Sequence, residues 1–190
     1  TSRGLGDVYK RQLFFKGDFN NYQDVYNFGK KVDIITIEIE HVNVEALFKL
    51  EKEGVEVYPS PSNIELIQNK GVQKDFFKKN KIPTSDYKRF DNKKILSSYI
   101  SKTDGRYPFV WKSETMGYDG KGVKFIQSLL DLDDINENSC VIEDVVDIKH
   151  ELAVLVARNN SGKSKSFPVL EMEFNQKSNQ VAVSYTHLTL

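Results

Sequence analysis

The run Val32-Asp33-Ile34-Ile35-Thr36-Ile37-Glu38-Ile39-Glu40 limits the fold more than any other stretch of the chain. Isoleucine, valine and threonine branch at Cβ, which makes them stiff at χ1 and suits them to a pleated surface. The run is nearly continuous in apolar residues at its start. That predicts a strand covered on both faces, as in a parallel sheet. From Ile35 it alternates, so Glu38 and Glu40 are expected on one face near its C-terminal end. Parallel strands need crossover connections, and the flanking sequence supplies helical patterns. Residues 21–31 place Tyr22, Val25, Tyr26 and Phe28 at helical spacing, with Asp18 or Asn20 as cap. Residues 44–53 turn Leu47 and Leu50 inward, with Gly54 as the stop. A short strand over 55–58 closes at Pro59. This alternation of helix and strand predicts an α/β layer.

Ser62-Asn63-Ile64-Glu65 reads as a capping box opening another helix. A further helix near 72–79 presents Val72, Phe76 and Phe77. It stops before Ile82-Pro83-Thr84, where the residue before proline disfavours helix, and a domain boundary is expected there. Beyond it come a short helix over 93–101, strands over 107–112 and 123–126, a third over 141–143, a fourth over 151–158 and a fifth over 167–174. Residues 159–165 form the last connecting turn. This half reads as antiparallel α+β. The expected division is a partial N-terminal α/β domain over 13–84, a lid subdomain over 85–146 and the start of a further antiparallel subdomain over 147–182. The opening TSRGLGDVYKRQ (1–12) and the closing VSYTHLTL (183–190) resemble translated sequencing-adapter read-through, so authentic sequence is expected over 13–182.

Charge and composition remove several functions. Lys and Arg number 27 and Asp and Glu number 27, so no basic surplus is available for a phosphate backbone, and a nucleic-acid binder is not expected. Leu, Ile, Val and Phe make up 57 of the 190 residues, enough to bury a core. No run of roughly 18 apolar residues suggests a membrane helix. The lone cysteine, Cys140, makes neither an internal disulfide nor a zinc site, so a reducing, cytoplasmic location is expected.

The chemistry concentrates in Lys112-Ser113-Glu114-Thr115-Met116-Gly117-Tyr118-Asp119-Gly120-Lys121-Gly122. Closely spaced glycines let backbone amides crowd an anion. Lys112 sits on the entering strand and Lys121 within the loop, a charge pattern suited to a polyphosphate. The stretch lacks the ending of a Walker loop and carries no dinucleotide fingerprint. Asp-Gly between alternating strands is equally a hairpin signal. The two readings are compatible, since a hairpin can close over phosphates. A second element is Cys140-Val141-Ile142-Glu143-Asp144-Val145-Val146, with Glu151 following. A strand leading into an apolar connector can offer backbone groups to an adenine edge, and a later acid can accept from ribose hydroxyls. Acids on strands are more usually solvated.

The order Thr36-Ile37-Glu38-Ile39-Glu40-His41-Val42, Lys112, Gly117 to Gly122, Glu143, Glu151 and Ala157-Arg158 resembles the ATP-grasp superfamily. Within it, the sequence is similar to the N5-carboxyaminoimidazole ribonucleotide synthetases, and Phe167-Pro168-Val169-Leu170-Glu171-Met172-Glu173-Phe174 is similar too. The resemblance implies a partial ATP-grasp fold. It also implies an ATP-dependent carbon–nitrogen ligase of purine biosynthesis. Bicarbonate would be activated as carboxyphosphate, and carbon dioxide passed to the amine of 5-aminoimidazole ribonucleotide. On the matching positions, Lys70 and Lys112 would contact ATP phosphates. Gly117, Tyr118, Asp119, Gly120, Lys121 and Gly122 would form the lid, with Tyr118 and Lys121 also facing the ribonucleotide as catalytic residues. Glu143, Asp144, Val145 and Val146 would hold adenine and Glu151 the ribose, while Glu40 would meet the substrate. Met116 stands where the family commonly has a small residue. The resemblance places magnesium ligands beyond residue 182, assigns none within the chain, and implies a homodimer at full length. The piece itself is expected to be inactive.

Other residues have plainer roles. His41 reads as structural or near the substrate, His150 as a surface residue, and Cys140 and Trp111 as core. Two other functions fit the same pattern. One is another ATP-grasp ligase, such as a formate-dependent glycinamide ribonucleotide transformylase or a biotin carboxylase. The other is a non-catalytic nucleotide-binding remnant.

Overall fold

The computed structural model describes residues 13–103, 107–115, 122–175 and 180–185. They fall into two compact units, divided between Asn69 and Lys70.

In the first unit, α1 (Tyr22–Gly29) is capped by Asn21, whose side chain accepts from the backbone N–H groups of Gln23 and Asp24. Asp18, expected to cap, accepts instead from Asn20 N at 2.8 Å. β1 (Ile34–Thr36) is followed by α2 (Val44–Lys52), β2 (Glu56–Tyr58) and α3 (Pro61–Gln68). β1 and β2 pair in parallel, with Ile35 opposite Val57. Asn43 caps α2 and Gly54 follows it at φ 94°, the left-handed region glycine tolerates. Val25, Ile35, Ala46, Leu47, Leu50 and Val57 form the core.

Two expectations fail in this unit. A strand over 32–40 buried on both faces is expected, but only Ile34–Thr36 is extended and Ile34 remains 53% exposed. Helices α1 and α2 cover the Ile35 side, and β1 has β2 as its one partner among the described residues. The capping box at Ser62 is also displaced. Pro61 takes the first helical position and Ser60 the cap, with the Ser60 and Ser62 hydroxyls bonded to each other at 3.1 Å.

The second unit carries α4 (Lys70–Lys79), β3 (Tyr87–Phe90), α5 (Lys93–Lys102), β4 (Phe109–Ser113), β5 (Val123–Ile126) and β6 (Cys140–Asp144). β3, β6, β4 and β5 lie in that order in one antiparallel sheet. Phe90, Leu96, Ile100, Phe109, Trp111, Ile126, Leu132, Ile135 and Cys140 pack together as its core. The expected boundary at Ile82-Pro83-Thr84 lies inside this unit, because Lys74 of α4 bonds to Thr84 and Ser85 and pairs with Glu143.

The stretch 151–158 is not one strand. It breaks into β7 (Glu151–Ala153) and β8 (Val156–Arg158), which join different sheets. β9 (Ser164–Ser166) pairs with β8 within the span expected to be a turn. β10 (Leu170–Asn175) lies between β7 and β11 (Gln180–Tyr185). β11 reaches into the closing stretch, with Val183 opposite Glu173 and Tyr185 opposite Glu171.

Candidate functional site

Strands β4 and β6 set the geometry. Val110 stands opposite Glu143 and Lys112 opposite Val141. Side chains alternate along a strand, so Lys112 and Glu143 emerge on the same face as diagonal neighbours. Helix α4 packs against β6. Lys70 and Lys74 are four residues apart on it and therefore share a side.

Glu143 is the hub, almost wholly buried. Its Oε2 lies 2.9 Å from Lys74 Nζ and accepts from Ser85 Oγ at 2.7 Å. Its Oε1 lies 2.9 Å from Lys112 Nζ without an aligned hydrogen bond. Burial pushes the Glu143 carboxyl up, yet Lys112, Lys74 and Ser85 outweigh burial, and it titrates below its ordinary value. Lys74 donates to Thr84 Oγ1 at 2.6 Å and Ser85 Oγ at 2.8 Å. With Glu143 Oε2, an ion-pair partner at 2.9 Å, it has three close oxygens around its ammonium. Two ammonium groups face one carboxylate, so the cluster carries a surplus positive charge.

The glycine-rich segment is rooted beside Lys112. Ser113 N donates to Gly122 O at 2.8 Å, and Gly122 has φ 77°. β4 and β5 pair across it, Lys112 opposite Val123, so the hairpin reading of its frame is correct. Glu114, the next residue, is buried and clasped by Arg89 through two bonds, Nε to Oε1 at 2.6 Å and Nη2 to Oε2 at 3.0 Å. Arg89 Nη1 also reaches Asp75 Oδ2 at 2.5 Å, and Tyr87 donates to Asp75 Oδ1 at 2.7 Å. Desolvation and that carboxylate push the Tyr87 hydroxyl up to about 12. Lys70 N donates to Glu114 O at 2.9 Å, which ties the start of α4 to the root of the hairpin.

The structure thus brings Lys112 against Glu143 across one face of the sheet, with Gly122 and the backbone of Lys70 at the Ser113 end of β4. Gly117, Tyr118, Asp119, Gly120 and Lys121 lie outside the described residues, as does Met116. Val145 and Val146 follow β6 in an exposed connector, and Asp144 N donates to Asp86 O at 2.9 Å. Glu151 is exposed on β7, opposite Met172. Glu38 and Glu40 lie beyond the end of β1 rather than on it. Glu38 lines a cavity of about 500 Å³ with Ile35, Thr36, Ile37, Ile39 and Val42. Near Glu40, Gln68 Nε2 donates to the carbonyls of Glu40 and Val42 at 2.7 and 2.8 Å. His150 is exposed and bonds Glu171 Oε1 at 2.6 Å, as a surface residue should.

Sequence reasoning misses Lys74. The helical pattern points to Val72, Phe76 and Phe77 as its buried face, but Gly71 and Lys74 are its buried residues. A side chain at Gly71 would put its Cβ less than 3.0 Å from Glu114 Oε1, so polar groups occupy that side of the helix. The available signal is the four-residue spacing from Lys70.

Residues 75–189 match the ATP-grasp domain model. The chain belongs to the ATP-grasp family. Residues 9–68 match the ribonucleotide synthetase preATP-grasp domain. Among curated relatives, phosphoribosylaminoimidazole carboxylase of Candida glabrata is 36% identical over 161 residues, covering 82% of this chain and 28% of the relative. N5-carboxyaminoimidazole ribonucleotide synthase of Synechococcus elongatus is 31% identical over 153 residues, 78% of this chain and 38% of the relative. Carboxyaminoimidazole ribonucleotide synthase of Aspergillus clavatus, solved with ATP, superposes with TM-score 0.74 at 31% identity, over 84% of this chain and 42% of that one. The Thermotoga maritima N5-carboxyaminoimidazole ribonucleotide synthetase gives TM-score 0.68 at 36% identity, over 82% of this chain and 40% of that one. This ATP-grasp chain therefore spans well under half the length of these relatives. The α/β ATP-grasp class expected from sequence is the class observed.

Proposed function

We propose that this chain is part of an ATP-dependent ligase that carboxylates 5-aminoimidazole ribonucleotide with bicarbonate, through carboxyphosphate, in purine biosynthesis. The observation that carries the reading is the Lys112–Glu143 pair at the root of the glycine-rich hairpin. It supplies a cation for a polyphosphate, and the names of the ATP-grasp relatives supply the chemistry. ATP fits this face of the sheet. The Lys112 ammonium sits off the hydrogen-bond axis of Glu143 Oε1, and Val145 and Val146 expose an apolar connector beside β6.

In this reading Lys112 and Lys70 hold phosphates and residues 117–122 close over them. The segment from Glu143 to Val146 holds adenine, and Glu151 holds the ribose. Tyr118 and Lys121 face the ribonucleotide, and Glu40 meets it too. Fixed cations and amides in a closed site stabilise developing charge and keep carboxyphosphate from water. Magnesium belongs to the proposed reaction. Among the described residues no three His, Cys, Asp or Glu side chains gather as a metal site. No helix among them is long and apolar enough to cross a membrane. A cytoplasmic homodimer is the proposed setting.

The test is ADP release in the reading frame that contains this chain. Release that needs both 5-aminoimidazole ribonucleotide and bicarbonate supports the proposal. Release driven by glycinamide ribonucleotide and formate, or by biotin, would replace it with another ligase of the family. Nucleotide binding without turnover under any of these conditions would leave a binding remnant.

A further inference from the structure

The Glu143 cluster contains more than ATP binding requires. One cation would neutralise the carboxylate, yet two are present, and they are held differently. Lys74 has three oxygen partners within 2.9 Å and its side chain is 11% exposed. Among the described residues Lys112 pairs with Glu143 alone, at 2.9 Å, and its side chain is 28% exposed. Lys74 is therefore the fixed partner and Lys112 the one free to turn towards solvent.

We infer that Lys74, with Ser85, is a positioning residue that releases Lys112 to a polyphosphate by holding Glu143 in its place. The inference rests on the proposed role of Lys112 in binding ATP. A buried carboxylate that loses its counter-charge is strongly destabilised. If Lys112 were the sole partner of Glu143, drawing it towards phosphate would strand that carboxylate, and the protein would oppose binding. With Lys74 and Ser85 on Oε2, the charge stays compensated while Oε1 gives up its ammonium. Lys74 itself need not touch the nucleotide, because it donates to Thr84 and Ser85 and is ion-paired with Glu143. Glu143 in turn keeps two neighbouring ammonium groups from repelling each other while no anion is bound.

The experiment measures the dissociation constant of ATP by calorimetry for the reading frame that contains this chain and five variants: Lys112→Met, Lys74→Met, Glu143→Gln, Ser85→Ala and the double variant Lys74→Met/Glu143→Gln. Lys74→Met should weaken ATP binding about tenfold, the effect of one charge-assisted hydrogen bond. The double variant should bind about as well as Glu143→Gln alone, because a neutral amide in place of the carboxylate no longer retains Lys112. A merely structural role for Lys74 would lower the melting temperature of Lys74→Met and leave the ATP constant of the folded variant unchanged. Ser85→Ala removes one hydroxyl from the same side of Glu143 and should weaken binding in the same direction by a smaller factor. It keeps the inference testable if Lys74→Met does not fold. No ATP binding by the unaltered chain, or an unchanged constant in Lys112→Met, would refute the nucleotide reading and the inference with it. Weakened binding in Lys112→Met with unchanged binding in Lys74→Met and Ser85→Ala would refute the inference alone. So would a double variant that binds as much more weakly than Glu143→Gln as Lys74→Met binds than the unaltered chain.

Discussion

Lys112 Nζ lies 2.9 Å from Glu143 Oε1, between adjacent strands of one sheet, while the other oxygen of that carboxylate is held by Lys74 and Ser85. The two residues proposed for phosphate and adenine are thus joined before any nucleotide arrives. Such a pair keeps a cation close at hand in a mostly buried setting. Its net contribution to stability need not be large, since desolvation offsets much of the attraction.

Replacing Lys112 with Met should therefore act on affinity more than on folding. ATP binding should weaken by about tenfold to a hundredfold, the range of one charge-assisted contact at roughly 1.5–3 kcal/mol. Glu143 keeps Lys74 and Ser85, so the melting temperature should change little. Calorimetric titration with ATP and a thermal melt, run on the same sample, read the two effects separately. Unchanged affinity removes Lys112 from the proposed site.

Gly71→Ala should destabilise the second unit although alanine is the better helix former. An added Cβ would lie less than 3.0 Å from both Glu114 Oε1 and Arg89 Nε, inside the two-bond clasp that anchors the hairpin root. Overpacking of this kind costs about 1–3 kcal/mol, more than the roughly 1 kcal/mol that helix propensity returns. Urea denaturation gives the sign directly, and a stabilised variant would show that the clasp yields without cost.

The features that repeat along the sequence are the legible ones. Leu47 and Leu50 face inward at helical spacing, and both are fully buried. Val123 and Lys112 pair across a hairpin, as the Asp-Gly pair in the sequence between them suggests. Lys112 and Glu143 stand out separately in the sequence, and the structure joins them. Their direct contact depends on strand register, which periodicity does not report. Lys74 is hidden for a different reason, because a lysine on a surface helix is usually solvated. Its burial follows from Thr84 and Ser85, in the segment after α4, and Glu143, far along the chain, meeting it together. β3 escapes a pattern reading because Tyr87-Lys88-Arg89-Phe90 lacks a β-branched residue, and its pairing with β6 is what makes it a strand. The break between Ala153 and Val156 is equally silent, since ELAVLVAR is apolar enough to pass for one strand.

Acid should loosen the first unit through Glu53. Lys49, Tyr26 and Lys30 hydrogen-bond its carboxylate, in that order of effect, and against a small desolvation they hold it down to about 2 from a usual 4.5. A depressed carboxyl adds stability above its unfolded value and loses it as pH falls towards the folded one. The window therefore lies between about pH 4.5 and pH 2. The group is solvent-exposed, so the effect should be modest and shrink with salt. Melts from about pH 6 downward should show the unaltered chain losing stability faster than Glu53→Gln across that window. Parallel curves would assign the acid sensitivity to other carboxylates.

The stretch between β7 and β10 should govern solubility. Leu155 is 64% exposed and Phe167 56% exposed, with Leu152, Val154 and Val156 also open. Phe167 N donates to Leu155 O at 2.9 Å, so the two side chains belong to neighbouring backbone. β8 and β9 form a two-stranded ribbon, and such ribbons are marginal in water without an apolar cover. A contiguous apolar surface beside open strand edges is a recognised route to association. The chain should bind a hydrophobic dye and scatter light increasingly with concentration. Leu155→Lys combined with Phe167→Lys should suppress both signals. Because neither side chain is buried, the double change should leave the melting temperature within a few degrees, since surface substitutions shift stability by about 0.5 kcal/mol or less. A large fall in melting temperature would show instead that these residues are covered in solution. Unchanged scattering would move the association to the open face of β1, where Ile34 is exposed.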